Sequence, residues 1–77
     1  MDLKGLVSIM SKKGYHYIDG RTNSVNDNVY LDFSTGYNGR GDWVEIKIGS
    51  RLHDIRDKNN EFKDVADNEL FKILNKI

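Results

Sequence analysis

Apolar residues recur along this chain in two rhythms, and the change from one to the other divides it into elements. Leu3, Leu6, Val7 and Met10 fall at i, i+3, i+4 and i+7, the spacing of one face of an amphipathic helix over residues 2–13. Asp2 can cap that helix or favour its N-terminal dipole, Lys12 and Lys13 suit the opposite end, and Gly14 supplies the left-handed position that stops it. Gly5 weakens the interior slightly. Tyr15, His16, Tyr17, Ile18 and Asp19 form an aromatic and β-branched run that predicts a strand, and residues 19–27, rich in Gly, Asn, Ser and Asp, predict a turn or loop.

The period-two rhythm is cleanest over residues 28–48. Val29, Leu31 and Phe33 alternate with Tyr30, Asp32 and Ser34, and after a glycine-rich turn over residues 34–42, Val44, Ile46 and Ile48 alternate with Trp43, Glu45 and Lys47. Two strands of a hairpin follow from that alternation. Beyond Ile48 the pattern admits two readings: a short helix begun by Gly49 and Ser50 with Leu52 and Ile55 on one face, or a second hairpin of residues 51–57 and 61–65 around Lys58, Asn59 and Asn60. Asp67 is placed to cap a final helix from Asn68, with Leu70, Ile73, Leu74 and Ile77 on its inner side. The expected architecture is α+β: an N-terminal helix, a three- to four-stranded antiparallel sheet and a C-terminal helix, in a single small domain over residues 1–77 with no repeat or linker.

With 77 residues, such a domain buries only about 60% of its unfolded surface, so its stability is marginal. There is no cysteine, which excludes disulfides and thiolate metal sites and leaves a well-packed core or oligomerisation to stabilise the fold. Twelve basic and twelve acidic residues give a net charge of zero, without the basic excess of a nonspecific nucleic-acid binder. No apolar stretch reaches the length of a membrane span, and the N-terminal segment lacks the apolar core and cleavage site of a signal peptide, so a cytoplasmic location, without membrane association, is expected. Proline and cysteine are absent and Ala66 is the single alanine, while Asn, Lys, Asp and Ile abound. That usage matches AT-rich coding, as in low-GC bacteria and their phages.

Little in the chain resembles reaction chemistry. His16 and His53 lie in different elements without metal-ligand spacing; His16 is expected at a polar strand position and His53 at a solvent or interface position. None of the serines sits in a Gly-x-Ser-x-Gly elbow. The glycines of the central turn do not form a phosphate loop, because a strand follows them and no lysine is present. Arg40, Gly41 and Asp42 spell an integrin-binding tripeptide outside any extracellular context. An EF-hand register starting at Asp57 places Phe62 where glycine is required and Asn68 where the bidentate Glu should stand. The acids of residues 54–67 are interleaved with Arg56, Lys58 and Lys63, as in a solvated face with local ion pairs. No metal, no cofactor and no catalytic residue is predicted.

What remains is recognition. Tyr37, Arg40 and Trp43 cluster at the turn end of the hairpin, and Tyr30 shares the face of Trp43; Tyr, Trp and Arg are the types most enriched at binding hot spots. The glycines equally serve the turn itself. The face bearing Tyr30 and Trp43 is either open, where its aromatics meet a partner, or covered by the second helix.

The opening Met1, Asp2, Leu3, Leu6, Val7 and Ile9, followed by Lys13 and Tyr15 and by a sheet closed with a terminal helix, resembles small phage-encoded inhibitors of host defence. Anti-CRISPR proteins of low-GC Gram-positive phages include a helix–three-strand–helix member with a similar opening. That inhibitor is strongly acidic and mimics DNA, whereas this chain is neutral, and no functional residue carries over. The resemblance implies a non-enzymatic inhibitor or modulator that docks on a host protein, such as a nucleic-acid-processing defence complex, inside the host cell. Two further expectations come from the residues. One is a nucleic-acid-binding module using the aromatic sheet face with Arg21, Arg40 and Lys47. The other is a homodimer that hides an open face or an edge strand.

Overall fold

A computed structural model of the chain describes residues 2–22, 28–36 and 41–77. The elements are α1 (Leu3–Lys12), β1 (His16–Thr22), β2 (Val29–Ser34), β3 (Trp43–Ile48), β4 (His53–Asp57), β5 (Glu61–Val65) and α2 (Asp67–Lys76). The strands form one antiparallel sheet in the order β1-β2-β3-β4-β5, each paired with its neighbour in sequence. The α+β class and the flanking helices agree with the sequence reading, but the sheet has five strands rather than three or four. Residues 53–65 form the second hairpin, not a helix.

Local chemistry sets the helix ends. The Asp2 carboxylate accepts the Gly5 N–H at 3.1 Å, an N-cap bond that satisfies one orphan donor of the first turn. At the other end the Gly14 N–H bonds the Ser11 carbonyl and the Tyr15 N–H bonds the Met10 carbonyl, both at 3.0 Å, with Gly14 at φ +87°. That is a Schellman motif, and its left-handed residue is a glycine because a Cβ is disfavoured there. Helix α2 starts one residue earlier than the sequence suggests. Ala66 is its N-cap and, having no polar side chain, makes no side-chain cap bond; the Asp67 carboxylate reaches to His53 at 2.5 Å.

The core lies entirely on one side of the sheet. Leu31 and Phe33 of β2, Val44, Ile46 and Ile48 of β3, Ile55 of β4 and Val65 of β5 are buried against Leu6 and Met10 of α1 and Leu70 and Leu74 of α2. In the three central strands the alternation is unbroken: β2 and β3 run in perfect register from Val29 opposite Ile48 to Ser34 opposite Trp43. Both edge strands carry a bulge. In β1 the register shifts between Tyr17 and Asp19, leaving Ile18 as the extra residue. Between β4 and β5 it shifts between His53 and Ile55, where Asp64 adopts φ +56° and donates its N–H to the Asp54 carboxylate at 3.0 Å. A left-handed Asp is tolerated in such a bulge, and a bulged, charged edge resists pairing with foreign strands.

Ile46 is fully buried at the centre of this layer. Ile46→Ala is expected to cost about 2–5 kcal/mol, a large share of the stability of a domain this small. The expected result is a clear drop in the urea unfolding midpoint followed by circular dichroism.

Candidate interaction face

The side of the sheet away from the helices is polar, and no helix of the described residues lies on it. Strand register assembles it in rows. One row crosses the sheet from Asp19 to Asp32, Glu45, Arg56 and Glu61; the next contains Tyr30, Lys47 and Asp54; a third places Ser34 beside Trp43. The face is therefore open in the sense left undecided by the sequence, and Tyr30 and Trp43 both belong to it. They stand four rungs apart on neighbouring strands, about 13 Å along the strand direction, and so form two ends of a strip rather than one cluster. Tyr37 and Arg40 lie outside the described residues.

Charge on the face is organised in ion pairs, two across β3 and β4 and one along β5. Lys47 Nζ lies 2.8 Å from Asp54, Arg56 Nε donates to Glu45 at 3.0 Å, and Lys63 Nζ lies 3.4 Å from Glu61. The hydrogen bond with Asp54 is the main reason the Lys47 pKa is raised, and the same bond with Lys47 is the main reason the Asp54 pKa is lowered. With Asp19 and Asp32 added, carboxylates outnumber cations among the described side chains of this face. Among the described side chains of the face, Lys47, Arg56 and Lys63 are each engaged by a carboxylate, so a phosphate would have to displace one to reach them.

Trp43 is the centre of the end nearest the β2–β3 loop. The Arg56 guanidinium sits 5.7 Å from its ring centroid while bonding Glu45, a cation–π geometry that fixes both side chains. Ile18, the extra residue of the β1 bulge, is about half exposed (52%) and lines with Trp43, Asp32 and Ser34 an open depression of about 330 Å³. On the other side of Trp43 a smaller cleft is shared with Tyr15, Asp42, Asp57 and Lys58. Burial, with the charges of Asp42 and Asp57, raises the Tyr15 pKa. The loop stem is pinned by the Thr35 N–H to Asp42 carbonyl bond and by the Asp42 N–H to Thr35 Oγ1 bond, both 2.9 Å. In the β4–β5 turn the Asp57 carboxylate accepts the N–H groups of Asn59 and Asn60 at 2.8 Å. The acids that invited a calcium reading thus act as turn caps and ion-pair partners.

His53 departs most from its expected place. It is buried on the core side rather than in solvent or at an interface. Its Nδ1 accepts the Gly49 N–H at 3.2 Å and its Nε2 lies 2.5 Å from the Asp67 carboxylate. Accepting at Nδ1 requires the proton of the neutral ring to be on Nε2, where it is donated to Asp67. Both ring nitrogens are committed, so this Asp–His pair ties the β3–β4 turn to the start of α2 and leaves no nitrogen for a substrate. Nothing in the sequence marked it, because the partners lie fourteen residues apart and meet only through the β4–β5 hairpin. Among the described residues, no group of three or more His, Asp or Glu side chains is arranged to hold a metal, and no helix is long and apolar enough to cross a membrane.

Comparison with protein-family models, with curated proteins and with solved structures gives no match.

The hydrogen bond from His53 lowers the Asp67 pKa. A depressed carboxylate pKa contributes stability that is full above the unfolded value and is lost as pH falls through the folded value. Asp67→Asn is therefore expected to be less stable than the native chain at pH 6, with the gap closing as the pH is taken below the ordinary carboxylate value of 3.8. Urea titrations at a series of pH values measure this. His53→Leu, which leaves the Gly49 N–H unpaired, is expected to cost on the order of 1–3 kcal/mol.

Proposed function

We propose that this chain is a non-enzymatic binding protein that docks on a partner protein through the open face of its sheet, with Trp43 and Arg56 at the centre of the contact and Tyr30 at its far end. The observation that carries this reading is the Trp43–Arg56 stack beside exposed Ile18, on a sheet face that no helix of the described residues covers. Trp, Tyr and Arg anchored by neighbours lose little conformational entropy on binding and dominate interface energetics. Tyr37 and Arg40, which precede Trp43 closely in sequence, belong to the same proposed contact. The resemblance to phage inhibitors of host defence suggests the consequence: occlusion of a host protein or capture of one of its conformations, in the host cytoplasm.

A protein partner is favoured over nucleic acid by the charge of the face. Among its described side chains carboxylates are in excess and Lys47, Arg56 and Lys63 are paired, whereas nucleic-acid affinity depends on free cations meeting phosphates.

The test uses the purified chain as bait in lysate of the natural host, with bound proteins identified by mass spectrometry. Trp43→Ala and Arg56→Glu, each verified as folded by circular dichroism, are expected to lower recovery of the specific partner at least tenfold. Undiminished recovery by both variants would refute the face assignment. An electrophoretic shift of single-stranded or duplex DNA or RNA at low salt that disappears as salt rises would favour nucleic acid instead.

A further inference from the structure

A second surface lies on the opposite side of the sheet, the side that carries the two ten-residue helices. Between α1 and β1 runs an open groove of about 600 Å³. Its apolar surface comes from Leu3 and Val7 of α1, Tyr17 of β1 and Leu31 of β2. Leu3 is 38% exposed and Tyr17 51% exposed, large apolar side chains that a small domain would ordinarily cover. Gly20, opposite Leu31 in the β1–β2 ladder, has no side chain, and the Tyr17 phenol lies across it where a Cβ would clash. The Tyr17 ring, laid over Gly20, therefore forms the floor of the groove along β1.

The polar part of the lining is one-sided. Ser8 and Ser11 offer hydroxyls, and Lys4 and Lys12 stand at the two ends of the helix wall. Eight residues of helix separate these lysines by about 12 Å. Neither has a carboxylate partner among the described residues, in contrast to Lys47, Lys58 and Lys63, which are all ion-paired. Lys13, next in sequence, is turned away and donates to the Asn75 carbonyl of α2 at 3.1 Å. No strand of the described residues continues the sheet beyond β1, and a chain seated in the groove would rest on its side chains rather than pair with the bulged β1 backbone.

We propose that the groove binds a short acidic–apolar segment of a protein, with apolar side chains on Leu3, Val7, Tyr17 and Leu31 and flanking carboxylates on Lys4 and Lys12. The 12 Å between the lysines corresponds to about four residues of extended chain. The ligand is thus a segment with apolar residues between two acidic ones. A concave wall with hydroxyls suits the backbone and side chains of a peptide, whereas a bilayer surface calls for a convex apolar face flanked by many cations. The inference does not depend on the open sheet face, which lies on the other side of the sheet.

The test is fluorescence anisotropy with a fluorescein-labelled peptide carrying two leucines and a valine between two aspartates, beside the same peptide with lysines in place of the aspartates. Saturable binding of the acidic peptide is expected, with at least tenfold weaker binding of the lysine peptide. The doubly substituted Lys4→Glu, Lys12→Glu chain is expected to reverse that preference. Ser8→Trp, which fills the groove from an exposed helix position, is expected to abolish binding of either peptide, while Trp43→Ala leaves it unchanged. Equal binding of the two peptides, no saturable binding, or indifference to Ser8→Trp would overturn the proposal. So would binding only to phosphatidylglycerol vesicles, or a dimer in light scattering that Ser8→Trp dissociates. Since Trp43→Ala separates the two surfaces, failure here and failure of the open-face reading are distinguishable.

Discussion

The structure depends on a single apolar layer trapped between one face of a five-stranded sheet and two short helices. Ile46, Phe33, Val44 and Ile55 of the sheet meet Leu6, Met10, Leu70 and Leu74 of the helices, and no second core exists among the described residues to share the load. In a chain this short the apolar side chains suffice to cover one side of a sheet, and the hydrophobic effect then dictates that both helices go to that side. The consequence is functional. The opposite face has no helix of the described residues to cover it and must be made compatible with water by other means.

Cross-strand ion pairs supply those means. Lys47 with Asp54 and Arg56 with Glu45 sit directly opposite one another in the β3–β4 ladder, the positions at which opposite charges stabilise a sheet and like charges oppose it. Such exposed pairs contribute little to stability individually. Their importance here is that they engage Lys47 and Arg56 and place the Arg56 guanidinium over Trp43, giving that end of the face an aromatic–guanidinium centre. The groove at β1 has the opposite character, with Lys4 and Lys12, which have no carboxylate partner among the described residues, over an apolar floor. One small core thus leaves two surfaces of contrasting chemistry on its two sides.

His53 and Asp67 show how such a fold closes. The β4–β5 hairpin carries α2 back over the sheet, and the imidazole joins three otherwise separate pieces: the Gly49 turn, β4 and the first residue of α2. A buried polar side chain is tolerated there because both nitrogens are satisfied.

Local rules sufficed where a pattern was uninterrupted. The 3.6 period of α1 and α2, the Asp2 cap, the Gly14 stop and the alternation of β2 and β3 were all legible in the sequence, since each depends on residues within a few positions of one another. Legibility failed at the edge strands. The bulges at Ile18 and at Asp64 each insert a residue, which reverses the inward–outward parity that sequence reading relies on and hides the fifth strand. The placement of Tyr30 and Trp43 on one face followed from parity alone. Their separation, the Arg56 stack, the burial of His53 and the α1–β1 groove did not, because each is a contact between strands or layers remote in sequence. The sequence by itself determined the two helices and the sidedness of the central hairpin; tertiary structure alone decided the second hairpin, the face that no helix of the described residues covers and the partners of the described charges, since these depend on where a limited number of apolar side chains can be buried together.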